Sequence, residues 1–301
     1  MNPGRIHILT LLLLTIAAMG TRHLWNGSAV ELILAAVLIV LAGIPHGSLD
    51  HKVAQQRNRQ LRLPLYLLGY IAAAALYLCV WLVAPGVAFL LFLAVTAWHF
   101  GETDSNVFNF RYTSPVVLFL YGTALTCWLL MQDATVLLHW TGILTENSKL
   151  ALTVVQAAVT VPVLVWLLLI ATILLLQVRS WQLLMERLFF LLFLWLVSQT
   201  SLLMGFVLYF TGWHSVHALL HVRAAAFSRV NPLRMLLQAL PATIGAVAVL
   251  VLLGWLSNGA WLSNKALPGL FVLLSILTLP HMTEMHRLYT QKKAEPPPPA
   301  T

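Results

Sequence analysis

Long apolar stretches separated by short polar loops set the pattern of the chain. Ten such segments are apparent, at about 6–20, 29–46, 63–83, 85–100, 113–131, 149–177, 181–198, 201–222, 235–256 and 266–286. The seventh and eighth form one run, divided at "SQTS" (198–201) because it is too long for one crossing. A helix needs about 20 apolar residues to cross a bilayer, and the repetition of that length predicts an all-α, polytopic transmembrane helical bundle of about ten spans. Nothing along the sequence marks a domain boundary, so a single transmembrane domain is expected over 1–290. The tail, 291–301, ends "KKAEPPPPAT", lacks core-forming side chains and is expected to be disordered. Segment 6–20 has a second reading as a cleaved signal peptide, with Arg5 before a short apolar stretch and small residues after it.

Composition sharpens this picture. The chain is 60% hydrophobic and 9% charged, with mean hydropathy +0.87. Soluble domains carry roughly a quarter charged residues, so a water-soluble fold is excluded. The net charge of +8 would point to nucleic acid in a soluble chain. Here its distribution is decisive: 14 of the 17 Lys and Arg residues fall at the termini or in alternate loops, leaving Arg22, Lys149 and Lys265 on the other side. Basic residues collect in cytoplasmic loops, so a multi-pass protein of the cell (inner) membrane with both termini cytoplasmic is expected, and no nucleic-acid partner. Cys79 and Cys127 lie in apolar runs without C-x-x-C spacing and are read as packing residues.

Eleven histidines are many for such a chain. Ionisable groups within a bilayer are costly and mark function. His7, His23, His139 and His286 lie near segment ends or in loops and read as interfacial residues. His46 closes segment two, His99 closes segment four, His214, His217 and His221 occupy the end of segment eight, and His281 lies near the end of segment ten. In the expected topology all of these ends face the cytoplasm. Four segments remote in sequence therefore bring imidazoles to a similar depth, where helix C-termini favour a cation. Imidazole is the commonest metal ligand. His217 and His221 are one helical turn apart, and His214 joins the same stripe. Asp50 and Glu102 follow His46 and His99 closely enough to orient a ligating ring through its distal N–H. Pro45 and Gly47 can bend the helix end that carries His46. Taken singly, a membrane histidine also serves as a helix-to-helix hydrogen-bond partner, and His281 can be read that way. The lack of cysteine ligands leans toward iron over structural zinc.

"GIPHGSLDH" (43–51), "WHFGETD" (98–104) and "LTLPHM" (277–282) resemble, in order, the Gly-x-Pro-His-Gly-x-x-Asp, His-Phe-Gly and Pro-His-Met motifs of the Brp/Blh family of integral-membrane β-carotene 15,15'-dioxygenases. The likeness spans about residues 30–290 and leaves segment 6–20 and the tail outside. It implies iron-dependent cleavage of β-carotene or a related carotenoid at its central double bond, giving two retinal molecules, with Fe(2+) held by four histidines. His46 and His99 carry over directly. The family has a His-Ser dipeptide with a second histidine four residues after the first. His214–Ser215 matches the dipeptide, but Ala218 stands four residues on, whereas His217 and His221 keep the spacing. The expected ligands are therefore His46, His99, His217 and His221, with His214, His281, Asp50 and Glu102 as substitute or supporting residues and no separate catalytic acid or base. The partners implied are a carotenoid, O2, membrane lipid and a functional link to a retinal-binding rhodopsin. The alternatives are a non-cleaving carotenoid-binding homologue that assists retinal or rhodopsin production, a bis-histidine haem membrane protein, and a transporter or channel.

Overall fold

The computed structural model describes residues 3–25, 28–256 and 266–294, all as helices and short connections, with no strand among the described residues. The helices are α1 (Pro3–Trp25), α2 (Ala29–Leu38), α3 (Ile44–Ser48), α4 (Asp50–Arg57), α5 (Leu63–Val83), α6 (Pro85–Val107), α7 (Pro115–Leu130), α8 (Ala134–Leu144), α9 (Lys149–Val159), α10 (Val163–Leu176), α11 (Trp181–Val197), α12 (Leu202–Val207), α13 (Ser215–Ala226), α14 (Pro232–Leu256) and α15 (Ala266–Ala294). Two π-helical turns, Ile39–Gly43 and Leu208–His214, join α2 to α3 and α12 to α13. The starts are chemically marked. Pro115 opens α7, and the side chains of Ser114, Asp133 and Ser180 accept the N–H of Val117, Val136 and Leu183, satisfying donors that a helix leaves free at its first turn.

Every apolar segment of the sequence is helical, but crossings and segments do not correspond one to one. Five helices among the described residues are long and apolar enough to cross a membrane, or seven if each of two bent pairs is one span, against an expectation of about ten. Segment 149–177 is two helices meeting at 74°, where Pro162 precedes α10. Segment 113–131 leads through a 101° bend into α8, an eleven-residue helix that the hydropathy pattern did not single out. Helix α11 has 17 residues, about 26 Å at 1.5 Å per residue, short of a hydrocarbon core of about 30 Å. Of the expected disordered tail, 291–294 belongs to α15, and 295–301 lies outside the described residues.

The chain forms two compact units, Met1–Gly43 with Val83–His217, and Ile44–Leu82 with Ala218–Thr301. In the first, α6 packs along α7 with backbones nearly touching: a Cβ added to Gly101 would collide with the Leu118 carbonyl, and one on Gly122 with that of Ala97. Small residues allow such approach between membrane helices, where dispersion replaces the hydrophobic drive. Helix α6 runs seven residues past the apolar segment that predicted it, and Gly101–Asn106, though polar in composition, are buried. Beyond α6, the Phe108 carbonyl accepts Arg187 Nη2 at 3.0 Å and the Asn109 carbonyl accepts Arg179 Nη2 at 3.2 Å. The core around α6 is built from Tyr121, Leu125, Phe190, Phe193, Leu194 and Trp213.

The second unit packs Leu49 and Val53 against Ala218, Val222, Met235, Met285 and Tyr289. Polar contacts tie its helices together. The hydroxyls of Ser48 and Thr243 are 3.0 Å apart, and Trp81 Nε1 donates to Ser275 Oγ at 2.7 Å. Buried Glu284 accepts from Arg57 at 2.7 Å and from Arg287 at 2.8 Å.

Candidate metal centre

In the first unit, His99 and His214 come together. His99 lies in the buried half of α6 and His214 ends the second π turn, with their rings 4.8 Å apart at 75°. Both are buried. Aromatic rings surround His214: Phe100 at 4.7 Å, and Phe210 at 5.8 Å and nearly parallel. The π turn itself is stabilised by Ser215, whose backbone N–H and hydroxyl both donate to the Phe210 carbonyl, the hydroxyl at 2.8 Å. A backbone bond spanning five residues defines this wide turn, so the His-Ser dipeptide joins the imidazole to the residue that secures its presentation.

The first π turn is explained by its neighbour Pro45. Proline has no N–H, and its ring clashes with the carbonyl four residues back, here that of Leu41, so the preceding turn widens. Gly43, at its end, sits against the Phe210 ring: a Cβ there would lie 2.8 Å from Cε1. The glycine is needed for that close approach.

In the second unit, His46 on α3 meets His281 on α15, with rings 4.6 Å apart at 84°. Asp50 pairs with His281, whose Nδ1 lies 3.0 Å from each carboxylate oxygen, and Tyr70 donates to Asp50 Oδ2 at 3.1 Å. The sequence reading paired Asp50 with His46; the carboxylate instead grips the partner ring of His46. With Nδ1–H donating to Asp50, the lone pair of His281 is on Nε2, the arrangement that orients ligating histidines. Gly47 packs against the same ring, its Cβ position 3.3 Å from His281 Nδ1.

The other candidates lie as follows. His217 Nδ1 donates to the Trp213 carbonyl at 2.8 Å, and its ring lies 4.2 Å from the indole, tilted by 48°. His221 Nδ1 lies 3.2 Å from the Tyr289 hydroxyl. Both are half-buried, whereas His214 is fully buried. Of the three histidines in this stretch, His214 is the one beside His99. Glu102 is buried on α6, its backbone carbonyl accepting the side chains of Ser105 and Asn106 at 2.8 and 2.9 Å. Asp104, which the sequence reading passed over, is the α6 carboxylate that receives Tyr121, Trp213 and Tyr209. Its place inside "WHFGETD" was visible in the sequence, but nothing there named its partners.

The donor set is one of buried imidazoles with a carboxylate fixing one of them. Cys79 is exposed and Cys127 belongs to α7, so neither thiol joins the histidine pairs. Neutral nitrogen ligands of this kind suit first-row ions such as iron, and not the oxygen-seeking Mg2+ or Ca2+. These residues fit such an ion.

A family profile described as Beta-carotene 15,15'-dioxygenase matches residues 37–289. A curated beta-carotene 15,15'-dioxygenase from an uncultured marine bacterium (66A03) is 31% identical over 99 residues, which is 32% of this chain and 36% of the relative. The match therefore spans about a third of that relative's length. No solved structure matches the chain significantly. With the profile running from the end of α2, through both histidine pairs, to the last turns of α15, the chain belongs to the beta-carotene 15,15'-dioxygenase family.

Proposed function

We propose that the protein cleaves β-carotene, or a closely related carotenoid, at the central 15,15' double bond with O2 to give two retinal molecules, using Fe(2+), with His99 and His214 of the first unit and His46 and His281 of the second as the candidate ligands. Family membership over 37–289 supports the reaction. The observation that carries the choice of candidates is that each unit, taken by itself, contains one buried histidine pair, 99 with 214 and 46 with 281. Ferrous iron, when bound, supplies activation of O2 beside the double bond. The protein's own part is to hold, orient and exclude. Asp50 keeps the His281 proton at Nδ1, and Tyr70 keeps Asp50 in place. Phe100 and Phe210 surround His214 with apolar surface, which keeps water from competing. Both atoms of O2 end in the two aldehydes, so the reaction balances without a proton and asks for no acid or base from Asp50 or Glu102.

The substrate is apolar and enters from lipid, which suits a chain of long apolar helices. In this reading both termini and the loop after α4 face the cytoplasm of a cell membrane, and the retinal is passed to a retinal-binding rhodopsin. Expression in cells that accumulate β-carotene should bleach their colour and yield retinal on chromatography. Persistent colour with the protein present in the membrane would favour a carotenoid-binding homologue that does not cleave. Reporter fusions after Gln60 and Thr301 should both report a cytoplasmic location, and an external signal from either would overturn the topology.

A further inference from the structure

Asp104 is fully buried on α6, five residues beyond His99, in a setting that is otherwise aromatic. A buried carboxylate is costly unless hydrogen-bonded, and this one accepts three donors. Tyr121 on α7 donates to Oδ2 at 2.9 Å, Trp213 Nε1 donates to Oδ1 at 3.0 Å, and Tyr209 donates to Oδ2 at 3.4 Å. Two of the three, Tyr209 and Trp213, lie within the π turn that ends at His214. Phe190 and Phe108 wall the indole at 4.4 and 5.5 Å. Ring packing fills the space around Trp213, and the bond from Nε1 adds a directional contact that favours one facing of the indole. The next residue in the chain is His214.

We propose that Asp104 is a positioning residue for the His99–His214 pair. It lies on the helix that carries His99 and holds, through Trp213 and Tyr209, the wide turn that carries His214. One carboxylate thus sets the angle at which the two imidazoles meet. A carboxylate suits the task because its two oxygens together offer about four acceptor positions and no donor. The inference rests on reading these histidines as metal ligands, and it assigns Asp104 no contact with metal or substrate.

Cobalt(II), titrated into the full-length protein in detergent and followed by its visible absorption, tests the proposal without carotenoid or turnover. Wild-type protein should bind cobalt, and His99→Ala should abolish binding. If wild-type protein takes up no cobalt, or His99→Ala leaves binding intact, the metal reading fails and this inference with it. Given that behaviour, Asp104→Asn and Trp213→Phe should each weaken cobalt binding by about tenfold or more, as changes behind a ligand do, and shift the absorption bands. The double variant should be no weaker than the weaker-binding single, because the bond that Trp213→Phe removes is one of those that Asp104→Asn already disturbs. Variants that melt at lower temperature yet bind cobalt with wild-type affinity and spectrum, or single effects that multiply in the double variant, would overturn the role of Asp104 and leave the metal reading standing. If Asp104→Asn does not fold, Trp213→Phe decides alone: an unchanged spectrum and affinity reject the proposal, and a shifted spectrum with weaker binding supports it.

Discussion

The two histidine pairs are oriented by different physics. In one unit His281 is held directly by the Asp50 carboxylate, which Tyr70 steadies in turn. In the other, His214 is bounded by aromatic faces, and the Asp104 carboxylate holds its chain neighbour Trp213. A hydrogen-bonded ring is fixed by one strong directional contact, and losing that contact frees it. A packed ring is fixed by many weak contacts, so its weakness is a change of volume. The pairs should therefore respond to different substitutions.

The largest effects should come from the rings themselves. His46→Ala, His99→Ala and His214→Ala should each abolish retinal formation and bring bound iron to background by metal analysis, whereas His217→Ala should keep most of its iron. The alternative ligand set, with His217 and His221 in place of His214 and His281, predicts the reverse for His214 and His217, so these two variants separate the readings. Next comes Asp50→Asn. The amide retains one acceptor for His281, and iron affinity should fall by roughly 10–100-fold, the usual range for a residue behind a ligand. On the packed side, Gly43→Ala places a methyl against Phe210, which stacks on His214. Overpacking of this kind costs about 1–3 kcal/mol; the variant should melt earlier, and trimming the ring with Phe210→Leu should restore much of the loss. The smallest effect should be that of Tyr70→Phe, which removes one hydrogen bond worth about 0.5–1.5 kcal/mol. If Tyr70→Phe outweighs Asp50→Asn in iron affinity, the contrast between the pairs is misdrawn.

The helices were legible in the sequence because hydropathy and turn residues mark them: α5 occupies the expected 63–83. Two properties were not. A proline between apolar runs, such as Pro162, does not disclose whether one span or a 74° bend results. The stretch 101–107 reads as a polar loop on any average of hydropathy, yet it is helical because its polar groups find partners inside the unit. The site divides in the same way. Histidines at helix ends, and the motifs around them, were plain from one dimension. The Asp50–His281 bond joins residues 231 apart and the Asp104–Trp213 bond residues 109 apart, and no local spacing encodes either. The preference for His217 and His221 came from their i, i+4 spacing, which α13 keeps, but that spacing carries no information on which ring lies beside His99.

That turn also has a meaning for insertions and deletions. A wide turn is in effect one residue added to an α-helix, so everything beyond it is rotated by about 100° relative to an uninterrupted helix. Residues 202–207 and 215–226 thus keep two different phases of the same rod. Removing one residue between 208 and 214 would be a rotation more than a shortening, carrying each side chain of α13 round the axis together. Length changes in this segment therefore alter direction before they alter composition, and chains aligned across it are best compared by the bearing of each histidine, not by its count from the next.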